Sequence, residues 1–136
     1  MSVLLLKAYC ELLCCDFYRA RGFGKLYEKV RDCPSGRKSP SMDRIPEVCH
    51  AVDLASIWYW KHVLCLQRSA ATTRLLRRYG IAAVMVIGVE QMPFQAHAWV
   101  EVDSRVVNDH PYMREKYIVL DVCSKPELET ESRHAG

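Results

Sequence analysis

What this chain does not contain narrows its function before any motif is read. A membrane helix needs about 20 apolar residues in a row. The opening "MSVLLLKAYCELLCC" offers four, Val3 to Leu6, before Lys7, and Glu11 follows. The same stretch is too interrupted for the apolar centre of a secretory signal. There is no glycine-rich phosphate loop, so nothing points to a nucleotide. No cysteine–histidine set has metal-ligand spacing, so neither a metal nor a cofactor is expected. Strong charge is lacking too: 19 Lys+Arg against 16 Asp+Glu leaves a formal +3. That is too mild to argue for nucleic acid, and the aromatic–basic stripe that single strands need is missing. Neither a nucleic acid nor a membrane is therefore expected as a partner. No internal repeat is found.

The 136 residues, half of them apolar, suit one domain with a real core. Seven cysteines, without the paired spacing of a small secreted scaffold, fit reduced thiols in a cytoplasm. Val3, Leu6, Tyr9, Leu13 and Phe17 recur at three- and four-residue steps and predict a helix over 3–31. Two glycines in "RARGFG" break or bend it. Residues 33–43, "CPSGRKSPSMD", read as a loop or linker. A helix follows over residues 45–63, with Val48, Val52, Ala55, Tyr59 and Val63 in one stripe. Another, "CLQRSAATTRLLRRYG", is closed by Gly80 at the C′ position. Its inward stripe is Leu66, Ala70, Thr73 and Leu76, and Arg68, Arg74, Arg77 and Arg78 are expected mostly to face solvent. Strands are predicted in "IAAVMVIGV", "AHAWVEVD", "RVVND" and "KYIVLDV". The organisation expected is a helical segment with linker over 1–44, a core over 45–123, and a polar, disordered tail over 124–136.

Chemistry enters with Cys65, the one cysteine predicted to open a helix. There the unpaired N–H groups and the dipole favour thiolate, lowering a thiol from about 8.5 to roughly 3.5–7.5. Ser69, Ala70, Ala71 and Thr72 behind it are small enough to let a sheet approach. In "FQAHAWVEVD" Ala96, Ala98, Val100 and Val102 form one face, and His97, Trp99, Glu101 and Asp103 the other. A Cys–His pair needs a third group to orient the ring. A three-residue hairpin loop puts Asp109 opposite His97, and a loop one step later puts it diagonal. A plain Asp103-Ser104 turn instead sets His110 opposite His97 and turns Asp109 away, unless a bulge intervenes. Asn108 and Asp121 are the substitutes. Glu101 and Asp103 lie too far along the strand and are read as solvent-facing or hairpin residues. Trp99 is the aromatic placed beside the imidazole as a site wall. Cys10, Cys14 and Cys15, at helical i, i+4, i+5, are read as core packing, and His62 as structural.

These residues carry a resemblance. "CLQRSAATTRLLRRYGIAAVMVIGV", then "FQAHAWVEVD" and "VVND", resemble the transglutaminase-like cysteine proteases of lasso-peptide biosynthesis, strongly over 60–122 and only generally over 1–44. The resemblance implies an α+β fold with a papain/transglutaminase-like core: N-terminal helices, and the catalytic Cys at a helix N-terminus packed on an antiparallel sheet. It implies Cys65 as nucleophile, His97 as base and then acid, Asp109 as the orienter, and the Cys65 backbone N–H as an oxyanion donor. The substrate implied is a ribosomally made precursor peptide, cut between leader and core. The partners implied are a separate leader-recognition protein, this being the stand-alone form without that domain, and an ATP-dependent macrolactam synthetase. Where the family usually has Asp-Gly in the hairpin turn, this chain has Asp103-Ser104, less suited to positive φ. The rival readings are acyl transfer to an amine, a noncatalytic peptide-binding module and a zinc hydrolase.

Overall fold

Residues 3–33, 43–91 and 94–123 are described by the computed structural model; most of the expected linker and the tail over 124–136 lie outside them. Four helices precede the sheet: α1 (Val3–Ala20), α2 (Phe23–Arg31), α3 (Arg44–Trp58) and α4 (Cys65–Arg78). The strands are β1 (Ala83–Gln91), β2 (Phe94–Val102), β3 (Arg105–Val106) and β4 (Ile118–Cys123), with the short α5 (Met113–Lys116) before β4. They form one antiparallel sheet in the order β3-β2-β1-β4. This is the α+β arrangement expected. No described helix is long and apolar enough to cross a membrane.

The break between α1 and α2 falls at Gly22, whose φ of 119° is open to glycine and strained for other residues. α4 ends as its sequence predicts. Gly80 takes φ 82°, its N–H bonds the Arg77 carbonyl at 2.9 Å, and the Ile81 N–H reaches back to Leu76 at 3.1 Å. That is a Schellman closure, and it turns the chain into β1. α3 is shorter than its stripe suggests. It stops at Trp58, and Tyr59 leaves in an extended conformation with its hydroxyl donating to Asp16 of α1 at 3.0 Å.

Two expectations about faces need correction. In α1 most of the stripe that marks the helix points outward: Val3, Leu6, Leu13 and Phe17 are exposed, and only Tyr9 of the five packs against the core. Ala8, Leu12 and Cys15 face the core instead, so Cys10, which is exposed, does not pack there. In α4 Arg78 is exposed as expected, but Arg74 and Arg77 are not, because α1 and α2 cover that part of the helix. Arg74 and Arg78 both bond the buried Glu11 of α1, at 2.8 and 2.7 Å. Arg77 is only 2% exposed. Its guanidinium donates to the carbonyls of Ala83 (2.9 Å) and Cys123 (3.1 Å) and to Val30, Arg31 and Cys33 near the end of α2. A buried guanidinium is tolerable only with its donors filled, and the free carbonyls at a helix C-terminus fill them. α4 is thus the central helix, packed on the sheet by its small residues and on the other helices by its arginines.

Candidate active site

Cys65 is the first residue of α4, and the preceding Leu64 is an N-cap without a capping side chain. The first N–H groups of the helix are therefore not taken by a capping side chain. The Leu66 N–H donates to the Cys65 sulfur, as does the Ala98 N–H from β2. The second contact depends on how short β3 is. It pairs with β2 only at Val102 and Glu101, so the edge of β2 at Ala98 is open to α4. The hydrogen bond with His97 does most to pull the Cys65 thiol below its ordinary range; burial opposes it, and the two backbone N–H groups add to it.

His97 sits opposite Gly88 on β1. Its Nε2 meets Asp109 Oδ2 at 2.7 Å, which leaves Nδ1 for the sulfur. The bond to Cys65 raises the imidazole's pKa most; burial works against it, and Asp109 supports the rise through its hydrogen bond and charge. Burial alone would raise the Asp109 carboxyl. It is outweighed by hydrogen bonds from His97 and the His110 N–H and by the charges of His97 and Arg68, so the net shift is downward. All three directions favour thiolate, imidazolium and carboxylate together.

The hairpin turn is the tight one. Asp103 and Ser104 both take positive φ, 52° and 64°, and Val102 pairs Arg105. Serine thus accepts the conformation in which the family usually has glycine. This register, continued, would turn Asp109 away from His97. It is not continued. The Val107 N–H still donates to the Val100 carbonyl at 2.9 Å, but the Val100 N–H turns to Asn108 Oδ1 at 2.8 Å. The side chain of Asn108 takes the place of a backbone carbonyl, the ladder ends, and the chain swings Asp109 back to the imidazole. The departure from regular pairing that the two-residue turn requires is supplied here by an asparagine.

Other residues fall as follows. Trp99 is fully buried beside His97, ring centroids 6.2 Å apart, with its Nε1 donating to Glu101 at 2.9 Å. Glu101 is not solvent-facing: it is 1% exposed and takes both Nε and Nη2 of Arg114 at 2.8 Å. α5, which the sequence reading missed, brings Arg114 there and covers this face. Asp121 is on β4, bonded to the Tyr27 hydroxyl at 2.6 Å and away from His97. His62 is exposed.

Three contributors were not anticipated. Tyr117 stacks on His97 at 5.3 Å and 20°. Arg68, one turn below Cys65, lies between two carboxylates, 3.8 Å from Asp109 and 3.6 Å from Asp53 of α3. Gly88 leaves room for the rings of Trp99 and Tyr117. Only Gly88 had a signal, as a glycine inside a strand pattern.

Cys65 lies where two depressions meet. A groove of about 850 Å³ runs along the end of α3 and is lined by Asp53, Tyr59, Trp60, Lys61 and Arg68. On the imidazole side an apolar pocket of about 210 Å³ is lined by Phe23, Leu66, Ile87, Ala96 and Ala98. Among the described residues no group of three His, Cys, Asp or Glu side chains is placed to hold a metal ion. Three buried thiols differ from Cys65: burial pushes Cys49 and Cys123 up to about 11, and Cys15 higher still.

A family model described as the transglutaminase-like superfamily matches residues 12–122. The chain is also similar to the microcin J25-processing protein McjB of Escherichia coli, 48% identical over 56 residues. That match takes in 41% of this chain and 27% of that protein, so the chain spans about a quarter of its relative's length. No solved structure matches significantly.

Proposed function

The chain belongs to the transglutaminase-like superfamily, and on that premise we propose that it is a cysteine peptidase removing the leader from a ribosomally made lasso-peptide precursor. The observation that carries this reading is the thiol at the start of α4, hydrogen-bonded to an imidazole whose far nitrogen is 2.7 Å from a carboxylate. The relative named for processing microcin J25 supports the substrate class. The precursor lies across Cys65 in extended form, between the groove and the apolar pocket.

Cys65 thiolate attacks the carbonyl carbon of the last leader residue, forming the C–S bond while imidazolium His97 stays beside it. The oxyanion is held by the Cys65 N–H, which as the first of the helix has no intrahelical acceptor; such a donor contributes about 2.7–4 kcal/mol. As the C–N bond breaks, His97 protonates the leaving amine, which becomes the N-terminus of the core. His97, now neutral, takes a proton from water. The C–O bond forms, the C–S bond breaks, and thiolate and imidazolium are restored. Asp109 holds the ring and its charge throughout. The freed amine is what an ATP-dependent macrolactam synthetase needs, which places this step first. A separate leader-recognition protein raises the local concentration of the precursor, so the chain alone turns over slowly. The setting is a reducing cytoplasm.

The test is to incubate the chain with a candidate precursor, with and without a recognition protein, and weigh the products. One cut yielding leader and core is expected, stimulated by the partner and absent in Cys65→Ala. Cleavage that persists in Cys65→Ala sinks the proposal. Incorporation of an added amine at the cut carbonyl, in place of hydrolysis, would assign acyl transfer.

A further inference from the structure

The open edge of β2 is satisfied one group at a time, and each partner lies next to a residue of the proposed triad. Ala98, which follows His97, gives its N–H to the Cys65 sulfur. Its carbonyl accepts the Ser69 hydroxyl at 2.9 Å, from one turn along the Cys65 helix. Val100 gives its N–H to Asn108, which precedes Asp109. Asn108 Nδ2 in turn donates to Ser69 Oγ at 3.2 Å, joining the two. Ser69 is fully buried and Asn108 half-buried, so water is a poor substitute for these bonds. α4, β2 and the Asp109 loop are thereby tied at one point.

We propose that Ser69 and Asn108 are positioning residues, a side-chain clasp that aligns the Cys65 helix, the His97 strand and the Asp109 loop. This deepens the peptidase reading and rests on its triad, but its function is distinct from stability. At the point where the β2–β3 ladder stops, the Asn108 bond follows the last backbone bond, from the Val107 N–H to the Val100 carbonyl, and precedes the contacts of Asp109 with His97 and Arg68. Without Asn108, the Val100 N–H regains a backbone acceptor only if β3 extends, and that register carries Asp109 off the imidazole. Without Ser69, Asn108 loses its anchor on α4, and the helix loses a bond to the strand that supplies the Ala98 N–H donor to its thiolate. Errors of about 1 Å in such an arrangement cost on the order of 10²-fold.

The experiment measures alkylation of Cys65 by iodoacetamide from pH 4 to 9 in the full chain, with the site resolved by peptide mass spectrometry. It needs no precursor, so failure of the leader-peptidase reading leaves it interpretable. The charged and titratable groups facing the pair are Arg68 on α4, Asp53 on α3, Asp109 on the loop and Tyr117 ahead of β4, and neither substitution changes them. Wild type should react fast well below the ordinary thiol range. Asn108→Ala should lose about tenfold or more near pH 6 and titrate towards a free thiol at about 8.5, as Asp109→Asn does. Ser69→Ala should move the same way, and the double variant should be no worse than the sum of the two. Asn108→Asp keeps the acceptor for Val100 but loses the donor to Ser69 and adds a charge beside Asp109, so it should recover only part of the rate, to about the level of Ser69→Ala. If Asn108→Ala and Ser69→Ala lower the melting temperature but keep the wild-type profile, the clasp is structural only and the proposal is overturned. Should Asn108→Ala not fold, Ser69→Ala and Asn108→Asp decide by the same profile.

Discussion

Replacing Gly88 with alanine should damage stability and site together. Gly88 pairs His97 across β1 and β2, and its backbone is not in the left-handed region, so conformation is no obstacle. Space is. A Cβ there would lie 2.8 Å from Trp99 Cη2, 3.0 Å from Trp99 Cζ3 and 2.9 Å from Tyr117 Cβ. Carbon contacts are comfortable at about 3.5–4.0 Å, so roughly 0.7 Å must be found on two sides at once. Trp99 cannot supply it: the ring is fully buried and held by Glu101 at 2.9 Å. Tyr117 Cβ moves only with its backbone. The strand must shift, and overpacking of this kind costs about 1–3 kcal/mol. For a domain of this size that lowers Tm by roughly 3–5 °C per kcal/mol. Because Trp99 and Tyr117 both stack on His97, the imidazole moves with them, and Cys65 alkylation near pH 6 should fall on the order of tenfold. Gly24→Ala is the control, since nothing lies within 4 Å of its Cβ inside α2, and about 0.5–1 kcal/mol of stabilisation is expected. Urea unfolding and the alkylation profile are measured on both. A Gly88→Ala protein with wild-type midpoint and wild-type Cys65 reactivity would refute the reasoning about how the imidazole is seated.

Two further outcomes follow from the charged pairs. The bond to Cys65 raises the His97 pKa most, but Asp109→Asn removes the anion that supports the rise, so the upper pH limit of leader cleavage should fall and the rate at pH 7 drop by about 10²-fold; Asp109→Asn without effect, where Asn108→Ala is impaired, would move the orienting role to Asn108. Glu101→Gln tests the buried pair with Arg114. Burial alone raises the Glu101 carboxyl, but the bonds from Arg114 and Trp99 win and its folded pKa is lowered. The pair therefore stabilises the protein above the ordinary Glu value of about 4.3 and is lost as pH falls through the lowered folded value. Glu101→Gln should cost about 1–3 kcal/mol at pH 7 in urea unfolding, with the gap to wild type closing below about pH 4. A gap that stays constant down to pH 3 would mean that the charge contributes nothing.

Cys65 and His97 stood out as candidates because each signal is local: a cysteine before small residues, and a histidine in an alternating strand. Periodicity shows which residues share a face but not what that face meets. In α1, Val3, Leu6, Leu13 and Phe17 give the clearer helical stripe, yet Ala8, Leu12 and Cys15 meet the core. In α4 the arginines read as solvated because charge usually is, but a long stem packs well when carbonyls or a carboxylate wait at its end. Arg77 finds five carbonyls and Arg74 finds Glu11, groups 44 or more positions away apart from Ala83. Glu101 misled for the same reason, since Arg114 stands on a helix of four residues, too short for periodicity to reveal.

The hairpin shows the limit most clearly. Turn chemistry allows a two-residue loop at Asp103-Ser104, and strand arithmetic then forbids Asp109 from facing His97. Both rules hold. The conflict is resolved by Asn108, whose side chain copies a backbone acceptor and ends the pairing one residue early, as an Asx side chain is suited to do. A local rule is broken at the one place where the proposed chemistry needs it broken, and the bond that breaks it is also the bond that ties Asp109 to the Cys65 helix through Ser69. Restoring regular pairing would make a better hairpin and a worse site.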